Sequence, residues 1–194
     1  MRKAKVERKT KETDISLSMN LDGKGVYRVN TSIPFLDHML SLLSFHSRID
    51  LDVRATGDIE IDYHHLMEDL GIVFGEALKK ALGDKGGIRR YGNATIPMDE
   101  SLAQVVIDLS GRPFMVYKAK QPRGSLRGLE VSLFEDFFRS LSNHAMMNLH
   151  VIVTHGRDLH HILEAIFKAF GKALREAVSL DPAFKGLPTT KGKL

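Results

Sequence analysis

One five-residue motif occurs twice at a fixed spacing, and no other feature constrains the fold as much. His64-His65-Leu66-Met67-Glu68 returns as His160-His161-Ile162-Leu163-Glu164, 96 residues later. The offset continues through Phe74 and Phe170, Gly75 and Gly171, Ala77 and Ala173, Leu78 and Leu174, and Ala81 and Ala177. An insertion would break it, so each window is one unbroken element of a repeated unit. Leu70, Val73, Phe74, Ala77, Leu78 and Ala81 recur at the spacing of one helical face, and so do Ile162, Ile166, Phe170, Ala173 and Ala177.

Upstream the offset becomes 98: Leu51-Asp52-Val53 matches Leu149-His150-Val151, short alternating segments that read as strands. Phe35–Phe45 and Leu133–Ala145 read as amphipathic helices before them, with Pro34 suited to a first turn. Earlier still, Ile15, Leu17, Met19 and Leu21 alternate with polar residues, Asp22-Gly23-Lys24-Gly25 is a hairpin signal, and Val26, Tyr27 and Val29 follow. Val105–Leu109 and Phe114–Tyr117 flank Ser110-Gly111-Arg112-Pro113 in the second copy. Each half therefore reads strand, strand, helix, strand, helix. The halves run roughly 1–85 and 88–180, joined around Gly83–Gly87 and followed by a tail, 181–194. Each would be under 100 residues with no staple, which argues against independent domains. The expected fold is α/β of the α+β type, a duplicated half-domain with helices packed between two mixed β-sheets.

Nine histidines and no cysteine stand in 194 residues. Without thiols, disulfides, thiolate zinc sites, iron–sulfur clusters and cysteine nucleophiles are excluded, so any metal must be held by nitrogen and oxygen. The hydrophobic share of 43% and charged share of 27% are those of a globular chain. No apolar run approaches a membrane span. Met1–Val6 lacks a signal's apolar core, so the expectation is a cytoplasmic protein without membrane contact. The formal charge of +4 raises nucleic-acid binding. However, the basic residues gather at the ends (Arg2, Lys3, Lys5, Arg8, Lys9, Lys11, then Lys185, Lys191, Lys193), and no nucleic-acid motif is present. A small phosphorylated ligand accounts for the excess equally well.

On a helix His64 and Glu68 share a face, whereas His65 lies about 100° round it. One copy thus offers ligands to two different ions, and two copies supply ligands for two ions: His64, His65, Glu68, His160, His161 and Glu164. Solvent-facing polar residues drift as copies diverge; these have not, while residues between them have. Imidazole with carboxylate suits manganese, zinc, iron or nickel. His38 is a histidine of an apolar helix start, and its repeat counterpart is Asp136. His46 is placed to cap a helix end. Phosphate-loop, dinucleotide, serine-hydrolase and His-Glu-x-x-His motifs are absent. Arg90, Arg112, Lys168 and Lys191 remain as cations fit for an anion.

Together with these pairs, Lys11-Glu12-Thr13, Phe35–Leu40, Asp62–Asp69, Pro97–Ala103, Asp108–Pro113, His160–Ala165 and Pro188–Gly192 resemble the imidazoleglycerol-phosphate dehydratases, in their monofunctional form, along nearly the whole chain. The resemblance implies a hydro-lyase of histidine biosynthesis that forms imidazole-acetol phosphate through a metal-stabilised imidazolate. It implies two Mn²⁺ ions per subunit, other divalent metals also being possible, and a 24-subunit homo-oligomer with sites completed at interfaces. By the same resemblance the metal ligands are His38, His64, His65, Glu68, Asp136, His160, His161 and Glu164. Substrate binding falls to Glu12, His38, His46, Arg90, Arg112, Lys168, Thr190 and Lys191, with Glu12 as the base. The alternative is a carboxylate–histidine metal protein of storage or redox type, which would call for Glu-x-x-His order on long helices with few strands.

Overall fold

The computed structural model describes residues 2–119, 124–184 and 186–192. Lys185 and Lys193 of the basic tail lie outside them. The first half comprises β1 (Lys3–Lys9), β2 (Thr13–Asn20), β3 (Tyr27–Asn30), α1 (Pro34–Ser47), β4 (Asp50–Gly57) and α2 (His64–Leu82). The second repeats this order as β5 (Tyr91–Met98), β6 (Ser101–Asp108), β7 (Phe114–Lys118), α3 (Leu133–Ala145), β10 (Asn148–His155) and α4 (Leu159–Val178), with a small ribbon, β8 (Ser125–Leu126) and β9 (Leu129–Glu130), before α3. The sheets have the same order, β1-β2-β4-β3 and β5-β6-β10-β7. Only the last pair of each, β3 with β4 and β7 with β10, is parallel.

Two expectations are corrected. Each half begins with a further strand, β1 or β5. These are edge strands: β1 is mostly charged, and β5 is interrupted by Gly92 and Pro97, so neither gives a plain strand signal. And Asp22–Gly25 closes no hairpin: β2 pairs with β1 and β4, not with β3. The loop instead crosses the end of β4, where Asp50 Oδ1 accepts the N–H of Lys24 at 2.8 Å and of Val26 at 3.0 Å. In the second half Asn148, the counterpart of Asp50, donates its side-chain amide to Arg112 O at 2.7 Å. A short turn signal cannot tell such a crossing from a hairpin.

The helices form one layer between the sheets. Helix α1 packs on α4 and α2 on α3, so each half lays its helices on those of the other. Phe74, Phe134, Phe137, Phe138, Phe167 and Phe170 are fully buried. The repeated glycines make the close crossings. A Cβ on Gly75 would lie 2.6 Å from Leu141 O and 2.8 Å from Ala145 N; one on Gly171 would lie 3.0 Å from Leu43 O. Backbone cannot yield as a side-chain tip can, so Gly75→Ala should destabilise the fold by about 1–3 kcal/mol. Gly171→Ala should cost less, and the shifts in urea midpoint measure both.

Candidate metal and anion sites

Each histidine pair lies in the first turn of its helix, with an aspartate two residues before it: Asp158 is the N-cap of α4, and Asp62 precedes Tyr63, the N-cap of α2. Asp62 Oδ1 accepts the His64 N–H at 2.7 Å, and Asp158 Oδ1 accepts the His160 N–H at 2.7 Å. Asp62 and Asp158 extend the 96-residue offset, a signal the sequence reading passed over.

The first cluster joins α1 to α4. Glu164 Oε1 lies 2.9 Å from His38 Nε2 and 3.0 Å from His160 Nε2, and Glu164 Oε2 lies 2.5 Å from Lys168 Nζ. One ligand atom from each of His38, His160 and Glu164 falls within 4.8 Å of the others. Burial opposes ionisation of Glu164, yet Lys168, His38 and His160 bring its pKa down to about 2. His46 lies further along the same crossing, against Gly171, and burial aided by Lys172 and Lys168 lowers its pKa.

The second cluster joins α2 to α3 in the same way. His64 Nε2 is 3.7 Å from Glu68 Oε2, and His64 Nδ1 is 4.0 Å from Asp136 Oδ2. Asp136 thus stands where His38 stands in the first cluster. This cluster is more open, with Glu68 48% exposed against 10% for Glu164.

The second histidine of each pair turns elsewhere, as its 100° rotation requires. His65 Nδ1 lies 3.0 Å from Asp58 Oδ2, and His161 Nδ1 lies 2.8 Å from Glu100 Oε2. The carboxylate raises the pKa of each ring. Glu100 is itself held well below the usual carboxylate range by the Asp158 N–H, His161 and the Arg157 N–H. Asp58 and Glu100 were missed as partners because they sit at non-equivalent places, one before α2 and one in the β5–β6 turn.

Strand register explains Glu12. Leu17 faces Val53 as Val105 faces Val151, and Val6 faces Leu17 as Ala94 faces Val105. This makes the β1–β2 turn, Lys11-Glu12, the counterpart of Asp99-Glu100. Glu100 is engaged with His161 and two backbone N–H groups. Glu12 is exposed beside His65, whose Nδ1 Asp58 already holds. Among the described residues the duplication has left one of two equivalent glutamates, Glu12, without a side-chain hydrogen bond or ion pair.

Arg90, Arg112, Thr190 and Lys191 line a cavity of about 640 Å³ with Arg89, Asp181 and Pro188. Arg90 is fixed by Asp108 at 2.7 and 3.1 Å and by Pro188 O at 2.9 Å. Neither metal-type cluster lines this cavity. The Arg90 N–H bonds Ala177 O at the far end of α4 from His160. At 1.5 Å per residue that places the basic cavity about 25 Å from the first cluster. Lys168 belongs to the cluster side, on Glu164, not to this cavity.

The fold is a duplicated sheet–helix–sheet arrangement in which two imidazole–carboxylate clusters sit apart from a basic cavity. The family model of imidazoleglycerol-phosphate dehydratase matches residues 31–174. A relative of that name from Thermodesulfovibrio yellowstonii is 57% identical over 192 residues, covering 99% of both chains. The crystal structure of the Staphylococcus aureus dehydratase superposes with a TM-score of 0.84 at 37% identity, over 92% of this chain and 99% of that one. The Pyrococcus furiosus dehydratase gives 0.84 at 36% identity, over 97% and 100%. The chain belongs to the imidazoleglycerol-phosphate dehydratase family, a family of hydro-lyases. Among the described residues no helix is long and apolar enough to cross a membrane.

Proposed function

We propose that the chain dehydrates imidazoleglycerol phosphate to imidazole-acetol phosphate in histidine biosynthesis, in the cytoplasm, with two manganese ions per subunit. The observation that carries the metal is the convergence of His38, His160 and Glu164 ligand atoms within 4.8 Å, repeated more openly by His64, Glu68 and Asp136. The donors are imidazole and carboxylate without thiolate, a set that suits Mn²⁺ or a related divalent ion. His65 and His161 turn Nδ1 to a carboxylate, a common arrangement for ligating histidines, and their Nε2 atoms, that of His161 3.7 Å from Asp99 Oδ2, would meet a metal bound with a neighbouring copy. Asp136 enters as the carboxylate counterpart of His38. A divalent ion held by these residues would supply Lewis-acid stabilisation of negative charge on the substrate's ring.

The protein's own residues do the rest. Arg90, Arg112, Thr190 and Lys191 bind the phosphate, with Lys168 and His46 meeting the substrate from the cluster side. The hydroxyl leaves the ring-bearing carbon and the proton leaves its neighbour, so one water is lost overall. Glu12, the glutamate left uncommitted by the duplication, accepts that carbon-bound proton. The resulting enol then ketonises.

The substrate's three carbons between ring and phosphate cannot span about 25 Å. The first cluster of one chain would therefore work with another copy's basic cavity, which favours a homo-oligomer with sites at interfaces, of 24 subunits as the family resemblance implies. The decisive test is incubation of the manganese-loaded protein with imidazoleglycerol phosphate. The ketone should appear, and His160→Ala should abolish it while lowering bound metal. No ketone from the loaded wild type sinks the reading.

The pH dependence has a definite sign. The raised pKa values of His65 and His161 mean that each ring keeps its proton to a higher pH than free imidazole at 6.5. In the metal-free protein this stabilises the fold below 6.5, and the gain is lost as pH rises through the raised values. A metal must displace that proton, so manganese affinity should begin to fall as pH drops through those raised values, and turnover should follow as metal is lost. Titrating manganese binding across pH checks this, and Asp58→Asn should move the His65 contribution downward.

A further inference from the structure

We propose that the cavity bounded by Arg2, Lys24, Arg48 and Arg175 is a second site for a small phosphate-bearing ligand, separate from the Arg90–Arg112 cavity. Its volume is about 610 Å³. Two of its lining residues, Arg2 and Lys24, are the repeat counterparts of Arg90 and Arg112 in the first cavity. The Leu21 N–H donates to Arg2 O at 3.0 Å, and the Leu109 N–H donates to Arg90 O at 3.1 Å. Arg2 thus opens β1 as Arg90 opens β5. Lys24 follows Leu21 by three residues, as Arg112 follows Leu109. The two arginines are held alike: Arg2 by Asp22, with Nε 3.1 Å from Oδ1, and by the Val178 carbonyl; Arg90 by Asp108 and the Pro188 carbonyl. This comparison rests on reading the Arg90–Arg112 cavity as a phosphate site.

The charge balance is a separate argument. Arg2, Lys24, Arg48 and Arg175 face a single lining carboxylate, Asp22, which Arg2 already engages. A cation in the last turn of α4 is favourable to that helix, which explains Arg175 alone. It does not explain Arg2 from the start of β1 or Lys24 from the β2–β3 loop. Lys24, Arg48 and Arg175 are exposed, so solvent screens their mutual repulsion, and an anion bound among the four cations would add attraction from all of them. The first cavity is walled by the tail, which supplies Thr190 and Lys191; the second has α1 and α4 ends in that role and no tail. It therefore lacks the tail's contacts and should take inorganic phosphate or a simple phosphate monoester more weakly.

The test is calorimetric titration of the assembled full-length protein with inorganic phosphate. Arg112→Ala should leave one class of phosphate sites. Adding Lys24→Ala and Arg175→Ala should weaken that class by about tenfold or more. In an otherwise wild-type chain, Lys24→Ala with Arg175→Ala should leave kcat and KM for the family substrate unchanged. The proposal is overturned if the Arg112→Ala protein binds no phosphate, or if its residual binding ignores the Lys24 and Arg175 changes. If Arg112→Ala alters neither phosphate binding nor KM, the first cavity is misread. The second site then stands or falls on its own response to Lys24→Ala and Arg175→Ala.

Discussion

Glu164→Gln is expected to abolish turnover, remove one metal equivalent and destabilise the fold together. Glu164 is the point where the first cluster closes, touching His38, His160 and Lys168 with its two oxygens. Lys168, His38 and His160 stabilise its carboxylate enough to overcome the cost of burial and bring its pKa down to about 2. Glutamine keeps the size and loses the charge. A metal site deprived of its carboxylate should bind far more weakly, and turnover should fall on the order of 10³-fold or more. Lys168, 18% exposed in its side chain, then loses its ion-pair partner. Breaking a largely buried pair from one side costs about 3 kcal/mol. Glu164→Leu with Lys168→Met separates the effects: stability should return and turnover should not. Metal content by elemental analysis, urea midpoints and ketone formation read the three quantities. Full metal and normal turnover in Glu164→Gln would remove the cluster from the chemistry.

What sequence could and could not show follows from where each signal resides. The helices were legible because their buried faces recur locally; Leu133–Ala145 matches α3 with its buried phenylalanines. The duplication was legible because offsets are arithmetic. The edge strands β1 and β5 were not, since β1 offers only Ala4 and Val6 between charges and β5 carries Gly92 and Pro97, which read as breaks in a strand. The same deficit hid the kinship of Glu12 and Glu100, which only strand register exposes. The rotation of His65 and His161 away from their partners followed from helix geometry, but Asp58 and Glu100 could not be matched to them because they lie on unlike loops. The pairing of Asp136 with His64 was visible only as a repeat counterpart of His38, and it needed the cross-packing of α2 on α3. Lys168 carried the same charge as Arg90 and Arg112, and only the fold puts it on Glu164.

Two individually inactive variants should restore each other when assembled together. The basis is the separation of about 25 Å between the His160–Glu164 cluster and the Arg90–Arg112 cavity along α4. His160→Ala spoils the cluster and leaves the cavity; Arg112→Ala does the reverse. Each homogeneous assembly should turn over at a small fraction of the wild-type rate. In subunits mixed at random, a site drawing its cluster from one copy and its cavity from another finds both parts intact in about one case in four, the expectation for a heterologous contact between two copies. Unfolding the variants jointly and refolding them with manganese should therefore recover roughly a quarter of wild-type activity. A cis pair, with both changes on one chain mixed with wild type, controls for simple dilution and should also leave about a quarter of sites intact. If one chain supplied both cluster and cavity, the trans mixture would stay inactive while the cis mixture kept about half its sites. The comparison of the two mixtures decides between a site within a chain and a site between chains without depending on the metal's identity, because both mixtures carry the same ligands in the same proportions.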